Sequence, residues 1–295
     1  MMERIIGTYS NNREGALLFI TAGIHGNEPS GVAALEKVFS ELQYFRPEIG
    51  GTVVGIRGNI GGLKVKKRFI EEDLNRVWTE KNIVSGKTDT KEKKEMLDIL
   101  NVIRLFSEKE HTKRYFLDCH TTSAETQPFI SVQDVGDNDK WAHLFPVSVV
   151  RGFSDIVDGC IDQYLSRRGI TGFVFEAGQH DALSAIKNQE CLIWLAIEKA
   201  CGLNLGQIPE LSEYLEVFRK DIQKQSTFRI IHRYALAEGD RFVMEPGFSN
   251  FQKIRKGELL AVHNGKEVTS RWDSYIFMPL YQSQGKEGFF IIDCV

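Results

Sequence analysis

The sequence has little cysteine, and none of it is arranged for structural use. Cys119, Cys160, Cys191, Cys201 and Cys294 are scattered, odd in number and without a Cys-x-x-Cys pair, which argues against a disulfide framework and against a thiolate zinc site. A reducing cytoplasm is the compartment that fits. Long apolar runs are lacking too: no stretch approaches the ~18 to 20 uninterrupted apolar residues that span a bilayer. The opening Met-Met-Glu-Arg-Ile-Ile-Gly also lacks the apolar core of a secretory signal. The expectation is a cytoplasmic protein without membrane partners. Excess charge of either sign is absent as well. A net charge of −3 gives no global attraction for nucleic acid, so nucleic acid is not an expected partner and any anion must be recognised locally. Internal repeats and low-complexity segments are missing, and homo-oligomer formation is left open.

What is present is the composition of a globular chain. Its 295 residues, 42% hydrophobic and 26% charged, suffice for a large domain with a smaller appendix. Ala16-Leu-Leu-Phe-Ile-Thr-Ala22 reads as a strand, and Val32, Leu35, Val38, Phe39 and Leu42 stand at helical spacing over residues 30–44. Strands are predicted again at Thr52–Ile56, Arg114–Asp118, Phe129–Val132 and Gly172–Glu176, with helices over 90–108 and 181–201. This alternation predicts an α/β fold, a mixed sheet flanked by helices. After Gly202 the texture changes. A helix is predicted over 210–224, followed by short β-like runs at Thr227–Tyr234, Arg241–Met244, Leu259–Val262, Tyr275–Leu280 and Gly288–Ile292. The expected division is an α/β domain over 1–205 and a smaller β-rich domain over 206–295 that covers the cleft of the first.

Four motifs lie at predicted strand ends, where α/β folds place their chemistry. In Gly23-Ile-His25-Gly-Asn-Glu28-Pro-Ser-Gly31 the glycines permit bends that let an imidazole and a carboxylate turn to one centre. Zinc accepts such donors, and a catalytic zinc uses three protein ligands plus water. The plainer alternative is a loop histidine with Glu28 favouring a helix dipole. Leu117-Asp118-Cys119-His120 ends a buried strand. Alternation sends Cys119 into the core and His120 to the site, with Asp118 or a backbone carbonyl able to fix the tautomer of a ligating histidine. Arg68 and Asp73-Leu-Asn75-Arg76 follow a lysine-rich stretch. Guanidinium groups there can bind a carboxylate or polarise a carbonyl, while a solvated basic surface explains most of the lysines. Glu176, in Phe173-Val-Phe-Glu-Ala-Gly178, sits inside an apolar strand. It is therefore either paired with an arginine or raised in pKa toward general-base work.

Taken in order, these motifs resemble the succinylglutamate desuccinylase and aspartoacylase family, a branch of the zinc carboxypeptidase superfamily. The resemblance spans nearly the whole α/β part: Gly-x-His-Gly-Asn-Glu at 23–28, Asp-Leu-Asn-Arg at 73–76, Asp-x-His-Thr at 118–121 and Glu-x-Gly at 176–178. It implies a zinc ion, one per chain, on His25, Glu28 and His120, and Glu176 as the carboxylate that activates water. It further implies that Arg68 polarises the scissile carbonyl and that Asn75 and Arg76 bind the substrate carboxylate. Arg168 or Arg167 and Tyr281 are added as substrate contacts. The implied activity is hydrolysis of the amide bond of a small anionic N-acyl amino acid. A metallocarboxypeptidase acting on peptide-like chains and a zinc-binding sensor without turnover are the alternatives. Two departures bear on the substrate: Asn59-Ile-Gly-Gly62 replaces the family's Asn-Pro-Arg-Ala, and Gln179-His180-Asp181 follows the Glu-x-Gly.

Overall fold

A computed structural model describes residues 2–106, 111–153, 156–208, 211–221 and 225–295. The apolar run that opens the fold is β2 (Ala16–Ala22), buried along its whole length, while the half-exposed β1 (Ile5–Ser10) forms the sheet edge two strands away. Residues of β2 alternate between two cores. Leu18, Ile20 and Ala22 pack with helices α1 (Ser30–Phe45) and α7 (Leu183–Cys201), and Leu17 and Phe19 pack with α4 (Lys91–Arg104) on the opposite face. A strand covered on both faces has no polar side, which is why β2 reads as a continuous hydrophobic run.

Parallel to β2 lie β3 (Gly51–Arg57) on one side and β4 (Arg114–Thr122) on the other, and β4 pairs in parallel with β7 (Thr171–Gln179). The sheet then continues through β5 (Phe129–Ser131), β6 (Ser148–Arg151) and β8 (Thr227–Ala235). Its far edge is formed by β14 (Glu287–Cys294), β13 (Ser274–Phe277) and β10 (Gln252–Ile254), giving eleven strands among the described residues. The C-terminal part thus joins the main sheet through the parallel β6–β8 pairing. It also builds a separate three-stranded sheet from β9 (Phe242–Met244), β11 (Leu259–His263) and β12 (Lys266–Thr269). The result is a mixed sheet flanked by helices with a β-rich C-terminal part.

Most predicted elements stand within a few residues of their expected bounds. The helix expected over 90–108 ends at Arg104, and residues 107–108 lie outside the described residues. The helix expected over 210–224 is α8 (Leu211–Asp221), with 210 and 222–224 outside the described residues. The run expected to continue to Leu280 leaves the sheet after Phe277, because Met278 adopts a left-handed backbone (φ 48°) and Pro279 follows. Three short helices also complete the chain before β7: α2 (Ile60–Val65), α3 (Glu80–Ser85) and α5 (Asn138–Ala142). A fourth, α6 (Ile161–Arg167), leads into β7. Among the described residues, no helix is long and apolar enough to cross a membrane.

Candidate metal centre and substrate cavity

The parallel strands β2, β4 and β7 end side by side, and their C-terminal ends carry the site. After β2 the chain turns through Gly23, whose φ is +72°, and crosses close beneath α2. A Cβ on Gly26 would stand 2.0 Å from the Gly62 carbonyl carbon, so only glycine fits there. The loop is tied down by Gly26 N–H donating to the Arg68 carbonyl at 3.1 Å. His25 and Glu28 are 5% and 2% exposed. On β4, His120 faces the site while Cys119 enters the core. A Cβ at Gly31 on α1 would come within 2.8 Å of Cys119 Cβ, a measure of how closely helix and strand approach.

The two imidazoles converge on one carboxylate. His25 Nδ1 lies 2.9 Å from Glu28 Oε1, and His120 Nδ1 lies 3.0 Å from Glu28 Oε2, which also accepts from Thr121 N–H at 3.0 Å. The far nitrogen of each ring meets an aspartate: His25 Nε2 stands 3.2 Å from Asp73 Oδ1 and His120 Nε2 stands 2.8 Å from Asp118 Oδ2. An imidazole whose Nε2–H donates to a carboxylate presents the Nδ1 lone pair, the form in which histidine binds metal. In that tautomer two Nδ1 lone pairs would face the Glu28 oxygens with no proton between them, an arrangement that a further proton on the rings or a metal cation relieves. One ligand atom from each of His25, Glu28 and His120 can be chosen so that all three lie within 4.8 Å of one another. Two imidazole nitrogens and a carboxylate oxygen, buried and this close together, are donors of the kind zinc accepts. The donor set therefore fits a zinc ion.

Electrostatics follow from this packing. Burial alone would raise the Glu28 carboxyl, yet His25 and His120 beside it hold it well below the usual range. Burial would likewise raise Asp73, and Arg68 and His25 hold it well below. His120 is raised well above 6.5 because Asp118 and Glu28 outweigh its desolvation. Glu176, opposite His120 in the β4–β7 register, behaves differently. Burial pushes its carboxyl up to about 8 against the pull of His120, and its Oε2 has no hydrogen-bond partner. A nearly buried carboxyl of this kind is poised to exchange a proton near neutral pH.

His25, Glu28, His120, Glu176, Arg68, Asn75 and Arg76 all line one cavity of about 120 Å³. Arg68 donates through Nε and Nη2 to Asp73 at 3.1 and 3.0 Å and turns Nη1 toward Glu28, 3.8 Å away. Asn75 accepts from Ile161 N–H at 3.0 Å through Oδ1, which directs its amide Nδ2 elsewhere. Arg76 donates to the Asn75 carbonyl at 2.7 Å and pairs with Glu287 at 3.3 Å. Arg168 and Tyr281 are not brought to this cavity. Arg168 stacks on Tyr164 at the surface and pairs with Glu80, and its neighbour Arg167 is also exposed. The Tyr281 hydroxyl is taken up by the backbone, donating to the Glu245 carbonyl at 2.7 Å and accepting from Phe248 N–H at 2.9 Å.

Further residues complete the site, of which Glu92 and Gln282 carried no signal in the sequence. Asp73 braces both His25 and Arg68. Glu92 on α4, wholly buried, accepts from the backbone N–H of Ile70, Glu71 and Glu72 and so fixes the loop that presents Asp73. His180, part of the departure after the Glu-x-Gly, lines the cavity, held by Thr121 Oγ1 at 2.8 Å and by Gln282 at 3.3 Å. Gln282 in turn accepts from Asn27 of the His25–Glu28 loop at 3.0 Å, so the C-terminal part is joined to the cavity wall.

Residues 14–186 match the family model described as the succinylglutamate desuccinylase/aspartoacylase catalytic domain. The succinylglutamate desuccinylase of Pseudomonas putida is 28% identical over 107 residues, which cover 36% of this chain and 31% of that protein's length. A probable aspartoacylase of Nostoc sp. is 25% identical over 210 residues, covering 68% of this chain and 69% of that protein. The crystal structure of a succinylglutamate desuccinylase/aspartoacylase from Rhodobacter sphaeroides shares the fold, with a TM-score of 0.68 at 18% identity over 98% of this chain and 88% of that one.

Proposed function

This chain belongs to the succinylglutamate desuccinylase/aspartoacylase family, and from that premise we propose that it is a zinc-dependent hydrolase that cleaves the amide bond of an N-acyl amino acid. The observation that carries the reading is the convergence of His25 Nδ1 and His120 Nδ1 on the two oxygens of Glu28, each ring braced from behind by an aspartate. These three residues would hold the zinc, one per chain. When bound, the metal supplies Lewis acidity to the water and to the scissile carbonyl.

The chain's own groups do the rest. Glu176 takes a proton from the attacking water as the new C–O bond forms, and gives it to the departing nitrogen as the C–N bond breaks, releasing a carboxylic acid and a free amino acid. Arg68 Nη1 donates to the carbonyl oxygen as negative charge develops there. Asp73 holds the guanidinium in place, so no reorganisation is needed at that moment. Asn75 Nδ2 and Arg76 receive the substrate carboxylate and set its register against Glu176.

Small substrates are favoured over peptides because Leu280, Gln282, Gly285 and Glu287 of the C-terminal part also line the cavity. The test is release of amino acid from a panel of N-acetyl and N-succinyl amino acids, run beside N-blocked dipeptides. Turnover of the acyl amino acids at least about tenfold above the dipeptides supports a deacylase. The reverse order would make the protein a carboxypeptidase, and no turnover with zinc loaded would favour a sensor.

A further inference from the structure

Two buried polar side chains on the cavity wall have no role in the chemistry above. Gln133, just beyond β5, and Asp162, in the first turn of α6, both line the cavity and are 2% and 4% exposed. Gln133 Nε2 donates to Asp162 Oδ2 at 2.6 Å, which fixes the amide orientation and leaves Gln133 Oε1 without a hydrogen-bond partner. The hydrogen bonds to the Asp162 carboxylate come from this amide and the Gln163 backbone, with the His120 ring exerting a smaller pull. A buried carboxylate beside a buried carbonyl oxygen unpaired by the protein is costly and has acceptors only to offer. Burial accordingly raises the Asp162 carboxyl, with Asp118 adding to the rise. The group that satisfies both acceptors carries several N–H donors and a positive charge.

The position of the pair says which part of the substrate it meets. Asn75 Oδ1 accepts from Ile161 N–H and Arg76 Nη1 lies 3.5 Å from Cys160 Sγ, so the start of α6 sits beside the carboxylate-binding pair. That is the amino-acid end of the substrate. The same end has little capacity for a second carboxylate, since Arg76 is already engaged by Glu287 at 3.3 Å.

We propose that Gln133 and Asp162 form a subsite for an ammonium group on the side chain of the substrate's amino acid. The substrate is then an N-acyl amino acid with a second, free amino group, zwitterionic and not dianionic. This rests on the deacylase reading. The test compares kcat/KM of the zinc-loaded protein for Nα-acetyl-ornithine and Nα-acetyl-lysine with that for N-acetyl-norvaline, N-acetyl-norleucine, N-acetyl-glutamine and N-acetyl-aspartate.

The better amino-bearing substrate is expected to exceed its uncharged counterpart by roughly 10- to 100-fold, because a site built for donors penalises an analogue that lacks them. D162N and Q133L should each shrink that preference by about tenfold or more, mostly through KM. Equal rates for the ornithine and norvaline derivatives, or preference for the aspartate or glutamine derivative, overturn the subsite while leaving the deacylase reading intact. A preference that survives both substitutions also overturns it. Failure to hydrolyse any N-acyl amino acid overturns the deacylase reading and the subsite with it.

Discussion

Glu176→Gln separates catalysis from structure more cleanly than any other single change. The substitution keeps the volume of the side chain and removes its ability to take a proton. A positioned general acid–base contributes about 10²- to 10⁴-fold, so kcat should fall about 10³-fold, equivalent to ~4 kcal/mol on the barrier. Fold stability should move the other way. In the metal-free protein the Glu176 carboxyl titrates near 8, against 4.5 ordinarily, with burial as the main cause. The folded state therefore binds this proton more tightly than the unfolded chain does. Its contribution is fully present below about pH 4.5 and is lost as pH rises through about 8, costing on the order of a few kcal/mol across that window. Glutamine carries no such penalty. Thermal unfolding of the metal-free proteins should show E176Q gaining on the wild type from pH 5 to pH 8.5, by several degrees at the upper end, while bound zinc stays near one equivalent in the loaded protein. Retention of more than about a tenth of the wild-type kcat would remove Glu176 from proton transfer, and a stability difference that does not grow with pH would show that its carboxyl is not raised by burial.

Other perturbations probe the parts around it. Asp118→Asn weakens the brace on His120 Nε2 and should lower zinc affinity about 10- to 100-fold in a competition titration with a chelating dye, with most of kcat recovered at saturating zinc. Asp73→Asn touches both His25 and Arg68, so it should lower zinc affinity to a similar degree and also leave a kcat deficit that excess zinc does not repair. Arg68→Ala removes the donor proposed for the carbonyl oxygen and should cost about 10²- to 10³-fold in kcat with zinc content retained. Gly26→Ala forces a Cβ into the backbone of Gly62 and should destabilise the fold by about 3 kcal/mol in denaturant unfolding, with loss of zinc affinity because the loop carrying His25 and Glu28 must move.

Elements buried on both faces were the ones most readable from sequence. β2, β4 and β7 show continuous apolar runs because helices cover the sheet on either side, and α1 and α7 show clear helical spacing for the same reason. β1 escaped notice because most of its residues are half exposed, and β6 because it is four residues long. α6 hid its helical period by burying polar residues, Asp162, Gln163 and Ser166, among its apolar ones. At the site, His25 and Glu28 announced themselves through the glycines between and around them, and His120 through its place at a strand end. Their braces were harder to read, since the Asp73–His25 pairing depends on where Glu92 anchors the intervening loop and the Glu287–Arg76 pairing on how β14 enters the sheet. Arg168 was implied by the family resemblance alone, and α6 ends there and turns that side chain to the surface.

In the proposed function, hydrolysis depends on one zinc ion held by His25, Glu28 and His120. The most direct test of this dependence is a titration of the metal-free protein with zinc while hydrolysis of an N-acyl amino acid is followed. Activity should rise linearly from near zero and break at one equivalent, and the protein carrying His120→Ala should stay inactive at the same zinc concentration. Full activity in the metal-free protein, or an undiminished break at one equivalent in the His120 variant, would contradict it.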